Sequence, residues 1–173
     1  MTDLMSILTS NQVCGVVVGT MPSNGGPEML NIAMTQELPA PQDEVWATMS
    51  DVSTFEKWHA LHEDWVETPP ENLEVGSTMV EKIKIASITD TIEFRVESLR
   101  APEELVLVGA GSTGSKIRLT MHCSTRGTGS VVTLELEVTS PLLFGVVGKA
   151  LQGTFKKKLT ATLTGLESYL ATN

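Results

Sequence analysis

The stretch from Pro141 to Asn173 limits the folds open to this chain more than any other. Its apolar residues recur as Phe144, Val147, Leu151, Phe155, Leu159, Leu163, Leu166 and Leu170, in steps of three or four. Such steps put all of them on one stripe of an α-helix. At ~1.5 Å per residue the helix is roughly 40 Å long. A rod this one-sided needs a broad apolar surface to lie on. Gly145, Gly148 and Gly153 fall in its first third, each costing about 1 kcal/mol relative to alanine in a helix interior. Close backbone packing or a frayed first turn accounts for them most simply. A pliable gate beside the apolar Leu142, Leu143, Phe144, Val146 and Val147 is the functional alternative.

The surface comes from upstream. Leu30, Ile32, Met34 and Gln36 alternate with Asn31, Ala33, Thr35 and Glu37. Met79, Glu81, Ile83 and Ile85 oppose Lys82 and Lys84, and Ile92, Phe94 and Val96 oppose Glu93, Arg95 and Glu97. Ile117, Leu119, Met121 and Cys123 oppose Arg118, Thr120 and His122; Val132, Leu134, Leu136 and Val138 oppose Thr133, Glu135 and Glu137. One dry and one wet face per strand is the pattern of an antiparallel sheet covered on a single side. After the first strand, Pro41-Gln42-Asp43-Glu44 opens a short helix, with proline tolerated at the start and acids suited to the positive end. Asp51 or Ser53 can cap a second, carrying Phe55 and Trp58. The order of elements makes an α+β domain over residues 29–173.

Residues 1–28 stand apart, because Pro22-Ser23-Asn24-Gly25-Gly26-Pro27 breaks any pattern before Met29. A poorly ordered N-terminal extension is the expectation. Val13 to Val18 is apolar, but no Lys or Arg precedes it, unlike a secretory signal. No apolar run approaches the ~20 residues of a transmembrane helix. A single domain is the default for 173 residues. With 12 Lys plus Arg against 21 Asp plus Glu and a formal charge of −9, the chain lacks the basic face of a nucleic-acid binder. Cys14 and Cys123 make no disulfide framework, which points to a reducing cytoplasm.

Certain residues carry a family resemblance: Pro39-Ala40-Pro41-Gln42-Asp43-Glu44-Val45-Trp46, then Ser50-Asp51-Val52 through Trp58, then Gly76. On these the chain resembles the START-like helix-grip superfamily, in its polyketide cyclase/dehydrase and coenzyme-Q-binding-like branch. Trp58, His62-x-x-Trp65, Gly129-Ser130-Val131-Val132 and Ser140-Pro141-Leu142-Leu143-Phe144-Gly145 are similar to an actinobacterial branch labelled as the toxin of a toxin–antitoxin pair. The resemblance covers residues ~29–172 and implies a sheet curled round the long helix. It also implies a cavity between them, opening near the helix start and the small helices, with His62 and Trp65 at its mouth. A superfamily with lipid carriers, allergens, cyclases and co-chaperones fixes fold better than chemistry.

Gly109-Ala110-Gly111-Ser112-Thr113-Gly114 matches GxGxxG, but period-two alternation follows it where a dinucleotide site needs a helix. A glycine-rich hairpin loop is the expected reading. His59 and His62, with Glu63 and Asp64, match no zinc spacing, and rim histidines flanked by acids are the plainer reading. Glu81 is on the dry side by parity. Either it sits near a strand end or bulge and turns outward, or it is an interior acid that pairs, stays protonated or meets a polar ligand head. The first is the simpler expectation. Lys149 and Lys156-Lys157-Lys158 read as a solvated helix face. No nucleophile elbow or P-loop appears, and no metal or cofactor is expected.

The chain is thus expected to bind a small hydrophobic or amphipathic ligand between sheet and helix, without catalysis. The expected lining is Trp58, His62, Trp65, Glu81, Ile83, Phe94, Leu119, Met121, Leu134, Phe144, Val147, Leu151 and Phe155. A cyclase or dehydratase using an interior acid is the first alternative, and it requires a further polar side chain beside Glu81. A toxin-like component with an antitoxin-like partner, implied by resemblance alone, is the second. The ligand reading demands a void larger than a few waters between the layers.

Overall fold

A computed structural model describes residues 17–21 and 29–173. One antiparallel sheet carries the described strands: β1 (Val17–Met21), β2 (Met29–Leu38), β3 (His62–Trp65), β4 (Thr78–Ile85), β5 (Ile88–Arg100), β6 (Glu104–Gly111), β7 (Lys116–Arg126) and β8 (Gly129–Thr139). Their spatial order is β1-β2-β8-β7-β6-β5-β4-β3. Strands β3 to β8 form a meander, while β2 pairs with the last strand, so chain order and sheet order part once. The segment from β2 to β3 must therefore cross the whole sheet. It does so through α1 (Gln42–Met49), a 3-10 turn (Val52–Thr54) and α2 (Phe55–Trp58). The long helix α3 (Gly145–Thr172) closes the chain.

The period-two arithmetic holds along the sheet. In β2 the buried positions are Leu30, Ile32, Met34, Gln36 and Leu38, and in β4 they are Met79, Glu81, Ile83 and Ile85. The dry faces meet α3 through Leu151, Phe155, Leu159, Leu163 and Leu166, so stripe and sheet share one core. The short helices start as their sequences direct. Pro41 stands at the N-cap of α1 with Asp43 and Glu44 in the first turn. Asp51 caps the 3-10 turn by accepting from the Ser53 backbone N–H at 3.1 Å. The GxGxxG segment is the end of β6 and its turn into β7, as expected of a hairpin.

Two expectations change. Val17–Met21 lies in the stretch read as a poorly ordered extension, yet it pairs antiparallel with β2, from Val17 opposite Ala33 to Met21 opposite Met29. Its backbone takes up the free edge of β2, which an alternating pattern of so few residues does not announce. The remainder of 1–28 lies outside the described residues. The helix stripe also begins later than its periodicity suggests. Phe144 is extended (φ −78°, ψ 139°) and Gly145 has a φ of 64°, a left-handed conformation that glycine alone adopts freely. That kink at the helix start turns Phe144 (54 % exposed) and Val147 (56 %) outward. Among the described residues, no helix is long and apolar enough to cross a membrane.

Candidate functional site

Polar chemistry inside the sheet–helix interface concentrates on the loop joining α2 to β3. Helix α2 is a single turn, and His59 follows it four residues after Phe55, so the two rings share a face. They stack with centroids 5.2 Å apart and 18° between planes. The next residue is clamped to α3: Thr162 Oγ1 accepts from the Ala60 N–H at 3.0 Å, and Lys158 Nζ donates to the Ala60 carbonyl at 2.9 Å. Lys158 is therefore a structural contact rather than part of a solvated face. His62 then enters β3, pairing with Ile83 of β4. The clamp holds both imidazoles against the inner sheet face.

Glu81 meets them there. It is 3 % exposed and points inward as strand parity requires; the irregularity in the β3–β4 pair falls on β3, between His62 and Asp64, and β4 stays in register with β5. His62 Nδ1 lies 2.7 Å from Glu81 Oε1, and both side chains are almost fully buried. With the carboxylate ionised, Nδ1–H donates, a short charge-assisted bond. The Trp65 ring backs this pair, 4.8 Å from the His62 ring. His59 is buried too, and its Nδ1 has no hydrogen-bond partner. Burial pushes the His59 pKa below its ordinary value, against the upward pull of the Glu81 carboxylate, so the imidazole is neutral near pH 7. Both histidines are interior rather than rim residues, because the short helix and its clamp fold the loop inward.

Two small voids flank this cluster. One, of about 20 Å³, is bounded by His59, Glu81, Ile83, Phe94, Leu119 and Phe155 among others. The other, of about 50 Å³, lies toward the start of α3, between Ile83, Asp90, Ser115, Leu142, Leu151 and Phe155. Ile83, Ile117 and Phe155 border both and separate them. Ligand pockets run to roughly 300–1,000 Å³, so the expectation of a preformed void larger than a few waters is not met. The core side chains of both layers fill the space, a property of packing that the hydrophobic pattern leaves open.

Asp90 edges the larger void and is fully occupied. Its carboxylate accepts from Ser112 Oγ (2.7 Å), the Thr113 N–H (3.3 Å), Thr113 Oγ1 (2.6 Å) and Ser115 Oγ (2.6 Å). Burial raises its pKa, but the hydroxyl and N–H donors outweigh it and hold the carboxyl below the ordinary range. This is a latch on the β6–β7 turn. Cys123 is a buried free thiol pushed up to about 11 by burial, and so unreactive.

Of the residues expected to line a cavity, Glu81, Ile83, Phe94, Leu119, Leu151 and Phe155 border one void or both. His62 and Trp65 stand behind Glu81. Trp58, Met121 and Leu134 are packed core, with the Trp58 indole N–H donated to Thr54 Oγ1 at 2.9 Å. Phe144 and Val147 border neither void. Sequence reading missed His59 and Asp90 as interior groups, although Asp90 shares strand parity with Ile92, Phe94 and Val96. Among the described residues, no group of three His, Cys, Asp or Glu is arranged to hold a metal ion.

A curled antiparallel sheet gripping a long C-terminal helix, with short helices after its first main strand, defines a helix-grip protein. Residues 29–171 match the family described as polyketide cyclase / dehydrase and lipid transport, and the chain belongs to it. A Mycobacterium tuberculosis H37Rv protein named Toxin Rv0910 is 24 % identical over 143 residues, 83 % of this chain and 99 % of its own. A second protein of that strain, named only as uncharacterized, is 26 % identical over 135 residues, covering 76 % of this chain and 94 % of its own. An aromatase/cyclase from Streptomyces sp. R1128 superposes with a TM-score of 0.68 at 14 % identity, over 83 % of this chain and 94 % of that one. The protein Ara h 8.0201 gives 0.62 at 11 % identity, over 84 % and 99 %. At such identities the structural likenesses speak for the fold alone.

Proposed function

We propose that this protein binds a small apolar or amphipathic molecule between the sheet and α3, without converting it. The observation that carries the reading is His59 Nδ1, a buried polar atom without a partner beside the Glu81 carboxylate, on a void whose other lining residues are apolar. An orphan of this kind costs about 1–3 kcal/mol, and a ligand's polar end relieves it. The void that this reading demands is not preformed, since the two present hold only a few waters, so binding requires the layers to part. The first turns of α3, residues 145–150, bury no side chain and are the place where we expect the layers to part. Leu142, Phe144, Val146 and Val147 already face solvent there, Val146 at 86 % exposure, and Gly153 has open space around it. Gly148 instead packs against the Leu143 carbonyl, which fits the close-packing explanation of that glycine. The buried free thiol of Cys123 suits a reducing cytoplasm.

Native mass spectrometry of the purified protein, with solvent extraction of bound material, tests the reading. A co-purifying apolar molecule supports it. A bare polypeptide mass, with no stabilisation by any member of an aromatic and lipid panel, overturns it. The cyclase alternative is favoured by His62 and His59, the further polar side chains it requires beside Glu81. Turnover of a β-keto thioester, abolished in Glu81→Gln, would establish it in place of simple binding. The toxin reading derives from the name of a relative at 24 % identity. Normal growth on controlled expression without a partner gene would remove it.

A further inference from the structure

We infer that the interior site selects ligands that carry a neutral hydroxyl, of the phenol or enol class, and rejects carboxylates. The inference rests on the ligand-binding reading and adds what the polar end must be. Glu81 Oε1 is engaged by His62 at 2.7 Å, so Oε2 is the carboxylate oxygen that a ligand would meet. His59 supplies a second unsatisfied atom, Nδ1, on the wall of the same void. A carboxyl oxygen that accepts, next to one neutral imidazole nitrogen, is the complement of a hydroxyl. The ligand O–H donates to Oε2, and its oxygen accepts from the Nδ1–H tautomer of His59. Burial disfavours the imidazolium, so no cation stands on this void to offset an anionic head. A carboxylate there would set a second acidic group against Glu81, and two carboxyls side by side in a low-dielectric interior cannot both ionise without a large cost. A void of about 20 Å³ admits one oxygen atom and its proton; the rings Phe55, Phe94 and Phe155 leave the remainder of the ligand an aromatic bed.

His62 is a positioning residue. Its bond to Oε1 fixes the orientation of the carboxylate on the wall of the void. With His62 removed, Glu81 can rotate and its selectivity falls even where the fold survives.

The test is a titration of the full chain with three probes that share one apolar body: naphthalene, 1-naphthol and 1-naphthoate at pH 7.5. The expected order is naphthol tighter than naphthalene by about tenfold or more, with naphthoate weakest. In Glu81→Gln the naphthol preference collapses toward unity and naphthoate gains on naphthalene. In His62→Ala, with far-UV circular dichroism confirming the fold, the naphthol-to-naphthalene ratio drops, a change that loss of packing alone would not produce. If naphthalene binds and naphthol binds no better, the hydroxyl inference is overturned while the ligand-binding reading stands. Tightest binding by naphthoate likewise overturns the hydroxyl inference and leaves the ligand-binding reading in place. If none of the probes binds, both fall together.

Discussion

Phe155 offers the sharpest test of how the interior is organised, because its ring borders both voids and lies in the partition between them. It is 6 % exposed, so truncation in Phe155→Ala removes a packed phenyl group. Such a loss costs about 3–5 kcal/mol. For a domain of 150–250 residues each kcal/mol moves Tm by about 2–4 °C, which gives a fall of about 6–20 °C. The vacated ring joins spaces of about 50 and 20 Å³. The merged void approaches the ~150 Å³ of an apolar cavity that takes up benzene. Benzene at a hundred times its dissociation constant then restores about 2.7 kcal/mol. Urea unfolding of wild type and variant, with and without benzene, reads both quantities. The reasoning is refuted if the variant loses less than about 1 kcal/mol, since the ring would then not be packed between the voids. It is equally refuted if benzene stabilises the wild type as much as the variant.

Three further outcomes follow from the same geometry. Burial lowers the His59 pKa from its ordinary 6.5, so the unfolded chain binds a proton that the folded one resists; stability is held above that pH and lost below it, with a slope of up to about 1.4 kcal/mol per unit. Denaturant titrations from pH 7 to 5 should therefore show a shallower loss in His59→Phe, and equal slopes would remove His59 as the cause. Asp90→Ala leaves the hydroxyls of Ser112, Thr113 and Ser115 without their acceptor, costing about 2–3 kcal/mol at pH 7. Because the folded Asp90 pKa is lowered, its contribution is present above about pH 4 and lost as pH falls through the folded value, so the variant's deficit should shrink in acid, as unfolding curves at pH 7 and 3 will tell. Thr162→Val strands the Ala60 N–H at a cost of about 1–3 kcal/mol, whereas Thr162→Ser, which keeps the hydroxyl, should lose far less by the same unfolding measurement.

The long helix and the sheet were legible because their periods are set by backbone geometry. Leu151 to Leu166 on α3, and the alternating residues of β2, β4, β5, β7 and β8, follow from spacing alone. Parity placed Glu81 on the inner face, although a strand-end exit was the simpler expectation, and parity applied to Asp90 would have placed it too. His59 escaped because one turn of helix leaves no period to read; its four-residue offset from Phe55 was the available signal. The His62–Glu81 bond depends on β3 pairing with β4 across residues with no hydrophobic pattern, and β3 itself was not anticipated. The size of the voids is set by side-chain volumes from strands and helix together, a non-local sum that no run of residues records.

The grip on Ala60 has a kinetic corollary. Thr162 and Lys158 fasten the histidine loop to the middle of α3, about two to three turns beyond Leu151 along the rod, while the turns from Gly145 onward are fixed by fewer buried side chains. Swinging those first turns outward need not alter the spacing of His59, His62 and Glu81. Entry and recognition are then mechanically separate. Substitutions near Val146 should change arrival and departure rates by similar factors and leave the equilibrium affinity in place.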